Sequence, residues 1–339
     1  MPQRNEEALK FKPGLSGEPV ICTGGRSYWV IRGDGKMYRC LYNPQVVGTI
    51  FDEELKQLEV KDMVCRWKNT HDMLVDSCHP SGDLMFATYW DCTDGKTTRQ
   101  QAPWSGSKWQ EPDDPRKDPP CKDQAFFQVL PVNSKCNFAC AYCCNFYYED
   151  ENGKIVGRPK DHTKDLPMDV WKTFLARAAK KLKFAHFGFL GGEPTMYSHM
   201  AELTKWICNE HDWEVGICSN MSRTEVFADI TSGLREDRKH RFRVSASLHP
   251  FSKNFKWERY WESIKILRDA GIMVRATMVS WPEQIHLFDE FQPQLASLGV
   301  HLHLKGIGGY DLPQKDWEYI SSKGGTVETP EYLKKIGWF

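Results

Sequence analysis

The chain has 339 residues, enough for one large domain with a small companion or for two of medium size. Hydrophobic residues make up 40% and aromatics 13%, which excludes a disordered chain and fits a packed globular one. Lys plus Arg and Asp plus Glu each total 45, so a formal charge of zero offers no footprint for nucleic acid or an anionic membrane. The segment Met1 to Gly14 is polar and lacks the apolar core of a signal peptide, and no apolar run is long enough to span a bilayer. The expectation is a soluble, cytoplasmic protein. In that reducing setting the twelve cysteines are expected as metal ligands or buried thiols, not disulfides.

Along the chain, Ser27 to Tyr42 (SYWVIRGDGKMYRCLY) reads as two β-runs joined at Asp34-Gly35, a favoured two-residue hairpin turn. Cys22, Cys40, Cys65, Cys78, Cys92 and Cys121 are scattered through this part. A linker rich in Pro, Gly and charge, Pro103 to Pro120, follows it. The spacing therefore predicts two domains, residues 1–120 and residues 121–339. In the second, AFFQVL (Ala125–Leu130) reads as a first strand. Five further apolar runs begin at Phe184, Trp213, Arg243, Met273 and His301, 28–30 residues apart, the length of one βα unit. Between them lie helical stripes: Trp171, Leu175, Ala178 and Leu182 behind Pro167, and Tyr260, Ile264 and Leu267 with Gly271 as a stop. Six such units predict an α/β fold, a partial (β/α)6 TIM-like barrel preceded by a small cysteine-rich β-hairpin domain.

In parallel sheets of this kind chemistry gathers at the C-terminal ends of the strands. There this sequence places its unusual residues: Cys136, Cys140 and Cys143 after the first run, and Gly191-Gly192-Glu193-Pro194 after the second. Asn220 follows the third, His249 the fourth, and Lys305 nearly ends the sixth. Three thiolates in eight residues suit a [4Fe–4S] cube, in which each iron takes one terminal ligand and the fourth is left open. The alternative is a zinc site with Cys144 or a distant His as fourth ligand. Adjacent Cys143 and Cys144 converge poorly on one tetrahedral ion, and structural zinc sites usually come as paired knuckles.

The spacing Cys136-x3-Cys140-x-Tyr142-Cys143 at the end of a first barrel strand resembles the hallmark of the radical S-adenosylmethionine (radical SAM) enzymes, and the resemblance spans roughly residues 121–310. It implies a [4Fe–4S] cluster on Cys136, Cys140 and Cys143 whose open iron is chelated by S-adenosylmethionine. One electron, from a flavodoxin- or ferredoxin-type reductant, would cleave the sulfonium and give a 5′-deoxyadenosyl radical that abstracts hydrogen from a substrate. Gly191, Gly192, Glu193 and Pro194 match the family's segment that contacts the cofactor's ammonium group. Ser245, Ser247, Asn220 and Arg275 resemble the polar residues that hold its carboxylate and ribose, and Tyr142 is expected near the adenine. Each of these also reads as an ordinary core or strand-end residue. Cys218, His249 and Lys305 are weaker candidates for substrate contact or hydrogen donation; Cys208, on an apolar helix, reads as a core thiol.

Cys22-x12-Gly35-x4-Cys40, with Gly48–Leu55 after it, resembles the opening of auxiliary-cluster modules called SPASM or twitch domains. That resemblance implies a second [4Fe–4S] cluster on Cys22, Cys40, Cys65 and Cys78, leaving Cys92 and Cys121 spare; a zinc-stabilised small domain is the alternative. In the family such modules follow the barrel, whereas this one precedes it. The implied activity is radical SAM modification of a peptide or protein side chain. The competing expectations are action on a small molecule such as an amino sugar, a non-catalytic iron–sulfur electron carrier or sensor, and a zinc-binding nucleic-acid module.

Overall fold

The computed structural model describes residues 28–38, 46–58, 90–91, 98–99, 124–133, 135–140, 142–143, 148–149, 155–156, 164–305 and 313–323. The chain divides into two compact units. The larger contains residues 23–63 and 104–274; the other contains residues 1–22, 64–103 and 275–339.

In the larger unit, β1 (Tyr28–Arg32), β2 (Lys36–Tyr38) and β3 (Val46–Thr49) form an antiparallel meander. The turn is one residue longer than Asp34-Gly35 alone. Ile31 faces Met37, so Gly33, Asp34 and Gly35 all lie in the loop, and Gly35 takes the left-handed conformation (φ 79°). This is the three-residue hairpin in which a glycine closes the turn. The meander does not end the sheet: β1 pairs in parallel with β4 (Gln124–Leu130), Trp29 opposite Phe127, across about a hundred residues of sequence. From β4 the sheet continues through β5 (Phe184–Phe189), β6 (Glu214–Ser219) and β7 (Phe242–Leu248), all parallel, in the order β7-β6-β5-β4-β1-β2-β3. It is open, ending on β3.

The expected crossovers are helical: α1 (Met168–Ala178), α2 (Met200–His211), α3 (Thr224–Gly233) and α4 (Trp257–Asp269). The stripe Trp171, Leu175 and Ala178 is fully buried, while Leu182 is buried beyond the helix end. Pro167 caps the helix from outside its first turn, its extended backbone (ψ 149°) starting the helix one residue later. Helix α4 stops as expected. Gly271 (φ 76°) donates to the Arg268 carbonyl and Ile272 to that of Leu267, the paired bonds of a Schellman cap. On the helix side of the sheet, Phe127 meets Phe174 of α1 edge-on at 5.6 Å and Phe187 at 4.9 Å.

The opposite face carries charge. His186 stacks on Phe126 (centroids 4.9 Å, planes 4° apart) and lies within reach of Glu214 and Arg243, all three at most 5% exposed. Arg243 Nη2 reaches both Glu214 Oε2 and, at 2.8 Å, His186 Nδ1, and that ring nitrogen also lies 3.2 Å from Glu214 Oε2. Arg241 reaches Glu214 at 3.5 Å and Asp212 at 2.9 Å. Burial, then the Arg243 charge, pushes His186 down to about 4. Glu214 is held well below the usual carboxylate range: burial opposes its charge, but Arg243, His186 and Arg241 outweigh that opposition.

In the other unit, residues 275–279 of β8 (Met273–Val279) pair in parallel with β9 (Leu302–Lys305), Ala276 opposite Leu302. They complete the set of six expected strands. Helix α5 (Phe288–Ser297) joins them, and Asp289 on it accepts from Tyr319 of α6 (Gln314–Ser322) at 2.9 Å. Two-residue pairs at 90–91 with 98–99 and 148–149 with 155–156 are the remaining described strands. Among the described residues, no helix is long and apolar enough to cross a membrane.

Candidate metal and cofactor site

Because β4 to β7 are parallel, their C-terminal ends share one side of the sheet, and the loops that leave them interlock there. The cysteine loop comes first. Cys136, Cys140 and Cys143 are free thiols, each part-exposed. The loop turns where the Cys143 N–H donates to the Cys140 carbonyl at 3.2 Å. Cys136 Sγ faces two N–H groups, the backbone of Phe138 at 3.4 Å and the Asn220 amide at 3.9 Å. Donors aimed at sulfur favour thiolate, the form that binds iron. Three thiols in one loop fit a cube cluster, in which each thiolate holds a different iron and convergence on a single point is not needed.

The loop is clamped from the later strands. After β7, Ser252 accepts from the Ala139 N–H at 3.4 Å, Asn254 donates to the Asn137 carbonyl at 2.5 Å, and Phe255 packs edge-on against Phe138. Tyr142 and His249 share a hydrogen bond, hydroxyl to Nδ1 at 2.8 Å, with ring centroids 5.6 Å apart. His249 is half-buried, and loss of water lowers its pKa to about 4. After β6, Ser222 accepts from the Asn137 amide at 2.7 Å, and the Asn220 amide donates to Asn137 Oδ1 at 2.9 Å.

The Gly-Gly-Glu-Pro segment after β5 joins the same assembly. Gly192 donates to the Asn133 carbonyl at 2.7 Å and Glu193 to that of Lys135 at 2.8 Å. Gly191 is at φ 117°, and a Cβ there would lie 2.6 Å from the Asn133 carbonyl oxygen. Gly191→Ala is therefore expected to destabilise this loop by about 1–3 kcal/mol, since the backbone region is nearly confined to glycine. Thermal unfolding of the full chain would register the loss. The Glu193 side chain is 1% exposed and accepts four bonds. Oε1 takes the Thr195 N–H (3.1 Å), the Thr195 hydroxyl (2.6 Å) and the Ser219 hydroxyl (2.7 Å); Oε2 takes the Asn220 N–H (2.8 Å). Burial raises its pKa against the pull of these donors. The carboxylate thus holds the loop after β5 to the end of β6, and Pro194 opens the short 3-10 turn that it caps.

The sequence candidates sort themselves by place. Cys136, Cys140, Tyr142, Cys143, Gly191, Gly192, Glu193, Asn220 and His249 meet in this one set of loops. Ser245 is buried on β7, and Ser247, two residues on, lies 3.5 Å from Cys218 on the neighbouring strand. Arg275 and Lys305 belong to the other unit. There, burial and the charges of Arg275, His301 and Lys305 push His303 down to about 4. Cys208 is fully buried and its thiol pKa is raised by burial. Cys22, Cys40, Cys65, Cys78, Cys92, Cys121 and Cys144 lie outside the described residues. Asn133, Asn137, Ser222, Ser252 and Asn254 were not legible as site residues. They are single polar residues in loops, without periodicity or motif spacing, and only the folded contacts reveal them.

Residues 130–290 match the model of the Radical SAM superfamily. A search of curated proteins found no match. Among solved structures, the chain is similar to anSMEcpe with bound AdoMet, at 16% identity over 57% of this chain and 55% of that one, with a TM-score of 0.43. It is also similar to TYW1 with a lysine-pyruvate adduct bound (19%, 58% and 70%, TM-score 0.38). A third is SuiB of Streptococcus suis bound to precursor peptide SuiA (15%, 62% and 46%, TM-score 0.40). The chain spans about half the length of the first of these.

Proposed function

We propose that the protein is a radical SAM enzyme, the superfamily whose model residues 130–290 match, and that it reductively cleaves S-adenosylmethionine and abstracts hydrogen from a peptide or protein side chain. The observation that carries the reading is the interlocking of three strand-end loops around Cys136, which faces N–H donors from Phe138 and Asn220. When bound, a [4Fe–4S] cluster and S-adenosylmethionine supply one-electron cleavage of a sulfonium, with the electron coming from a flavodoxin- or ferredoxin-type reductant. Everything else is the work of the chain's own residues. Cys136, Cys140 and Cys143 would hold the cluster. Gly191 and Gly192 let backbone approach a ligand closely, and Glu193 fixes that loop by its four bonds. Asn220 keeps one donor on Cys136, and the Tyr142–His249 pair orients an aromatic ring beside the cysteine loop. Ser245 and Ser247 line the sheet face below these loops with hydroxyls able to meet a carboxylate or ribose. The peptide substrate rests on the SPASM-like pattern around Cys22, Gly35 and Cys40, with an auxiliary cluster on Cys22, Cys40, Cys65 and Cys78.

The test is anaerobic reconstitution followed by iron and sulfide counts, then S-adenosylmethionine and a strong reductant. The wild type is expected to release 5′-deoxyadenosine, and Cys140→Ala to release none while losing about four irons per chain. Equal product from both proteins, or zinc in place of iron, would sink the proposal. Cys40→Ala should lose a further set of about four irons with the first cluster intact; unchanged iron would remove the auxiliary cluster alone.

A further inference from the structure

Asn133 stands where the first strand gives way to the cysteine loop, and its N–H, carbonyl and side-chain oxygen are each bonded to a different part of the fold. Its N–H donates to the Leu130 carbonyl at 3.1 Å, closing the turn after β4. Its side-chain Oδ1 accepts from the Gly33 N–H at 2.9 Å, in the hairpin turn between β1 and β2. Its own carbonyl accepts from Gly192 at 2.7 Å. The residue holds a left-handed backbone (φ 48°), a conformation asparagine tolerates better than other side chains. The fit is close on both flanks. A Cβ on Gly191 would stand 2.6 Å from the Asn133 carbonyl oxygen, and one on Gly33 would stand 2.9 Å from the Pro131 carbonyl and 3.2 Å from Asn133 Nδ2. Gly33 lies outside the matched family segment; Gly191 and Gly192 lie inside it.

We propose that Asn133 is a positioning residue that ties the N-terminal hairpin to the Gly191-Gly192 loop, so that the hairpin sets the shape of the S-adenosylmethionine site. The part that concerns the cofactor rests on the function proposed above. From Gly33 the chain of bonds runs through Asn133 to Gly192, then through Glu193 to Asn220, whose amide faces Cys136. Parallel pairing of β1 with β4 fixes Gly33 at the same end of the sheet as the cysteine loop, which makes this bond possible. The hairpin therefore acts on the ligand loop through one side-chain acceptor.

Asn133→Gly keeps the carbonyl and permits the left-handed backbone while deleting the side chain with its acceptor; Asn133→Asp restores the acceptor alone. Hydrogen exchange of the full chain without iron needs no cofactor. Asn133→Gly is expected to speed exchange both in residues 30–36 and in residues 190–196, with the strands β6 and β7 unchanged, and Asn133→Asp to reverse it. In reconstituted protein with unchanged iron content, Asn133→Gly and Gly33→Ala should each weaken S-adenosylmethionine binding about three- to tenfold, read from the ligand-induced change in the reduced cluster's electron paramagnetic resonance spectrum. Faster exchange confined to residues 30–36, or unchanged affinity in both variants, overturns the proposal. Wild type that binds no S-adenosylmethionine defeats the proposed function, and the exchange arm then still decides whether the hairpin and the glycine loop are tied.

Discussion

Replacing Arg243 with Leu is expected to destabilise the protein by about 3–5 kcal/mol, because the change leaves the Glu214 carboxylate buried without its main partner. Arg241 touches the other oxygen only at 3.5 Å and is already engaged with Asp212, so it compensates little. A loss of that size is a large share of the roughly 5–15 kcal/mol that holds a domain together. The double change Arg243→Leu with Glu214→Leu removes both charges and should recover much of the stability, as replacing a whole buried ion pair often does. Urea unfolding of the four proteins in the cycle measures both outcomes; a double variant no better than Arg243→Leu would show that packing, not charge, governs the site. The same cluster predicts a pH effect. His186 has a folded pKa near 4 against an ordinary 6.5, so its neutral form is favoured in the folded state. Its contribution is fully present above 6.5 and is lost as pH falls through that window toward 4, up to about 3 kcal/mol in all. His186→Gln should flatten the acid limb of the stability profile by one proton; an unchanged limb would assign the effect to other buried histidines.

Glu193→Ala is the second large effect. It strips four donors of their acceptor at once: two hydroxyls that can turn elsewhere, and the backbone N–H groups of Thr195 and Asn220, which cannot. Each orphaned buried N–H costs about 1–3 kcal/mol. The loss falls on the junction between the loops after β5 and β6, so 5′-deoxyadenosine formation should drop at least tenfold while the cysteines keep their iron. Glu193→Gln is expected to fall between. With its oxygen on the three-donor side, its NH2 must face the Asn220 N–H. Parallel iron counts and turnover would separate this from simple unfolding, and full turnover in Glu193→Ala would remove the carboxylate from the site's support.

The architecture was largely legible because its causes are local and periodic. Apolar runs at a 28–30-residue pitch became parallel strands within a residue or so of their expected ends, since burial against covering helices selects such runs. Helix stripes and the Gly271 cap were likewise written in short windows. Cys136, Cys140 and Cys143 could be singled out because candidate metal ligands in one loop leave a spacing in the chain. The hairpin was visible, but its attachment was not: the pairing of Trp29 with Phe127 joins residues about a hundred apart, and no local pattern encodes it.

What the sequence alone determined, then, is the order of strands and helices, the thiol loop and the glycines beside it, because each depends on neighbours a few residues away. Only the tertiary structure decided how those loops hold one another. Arg243 meets Glu214 and His186, Glu193 turns its carboxylate inward to Ser219 and Asn220, and Asn133 reaches Gly33. The reason is physical: a buried polar group takes whichever partner the fold brings within about 3 Å, and that partner can come from anywhere in the chain.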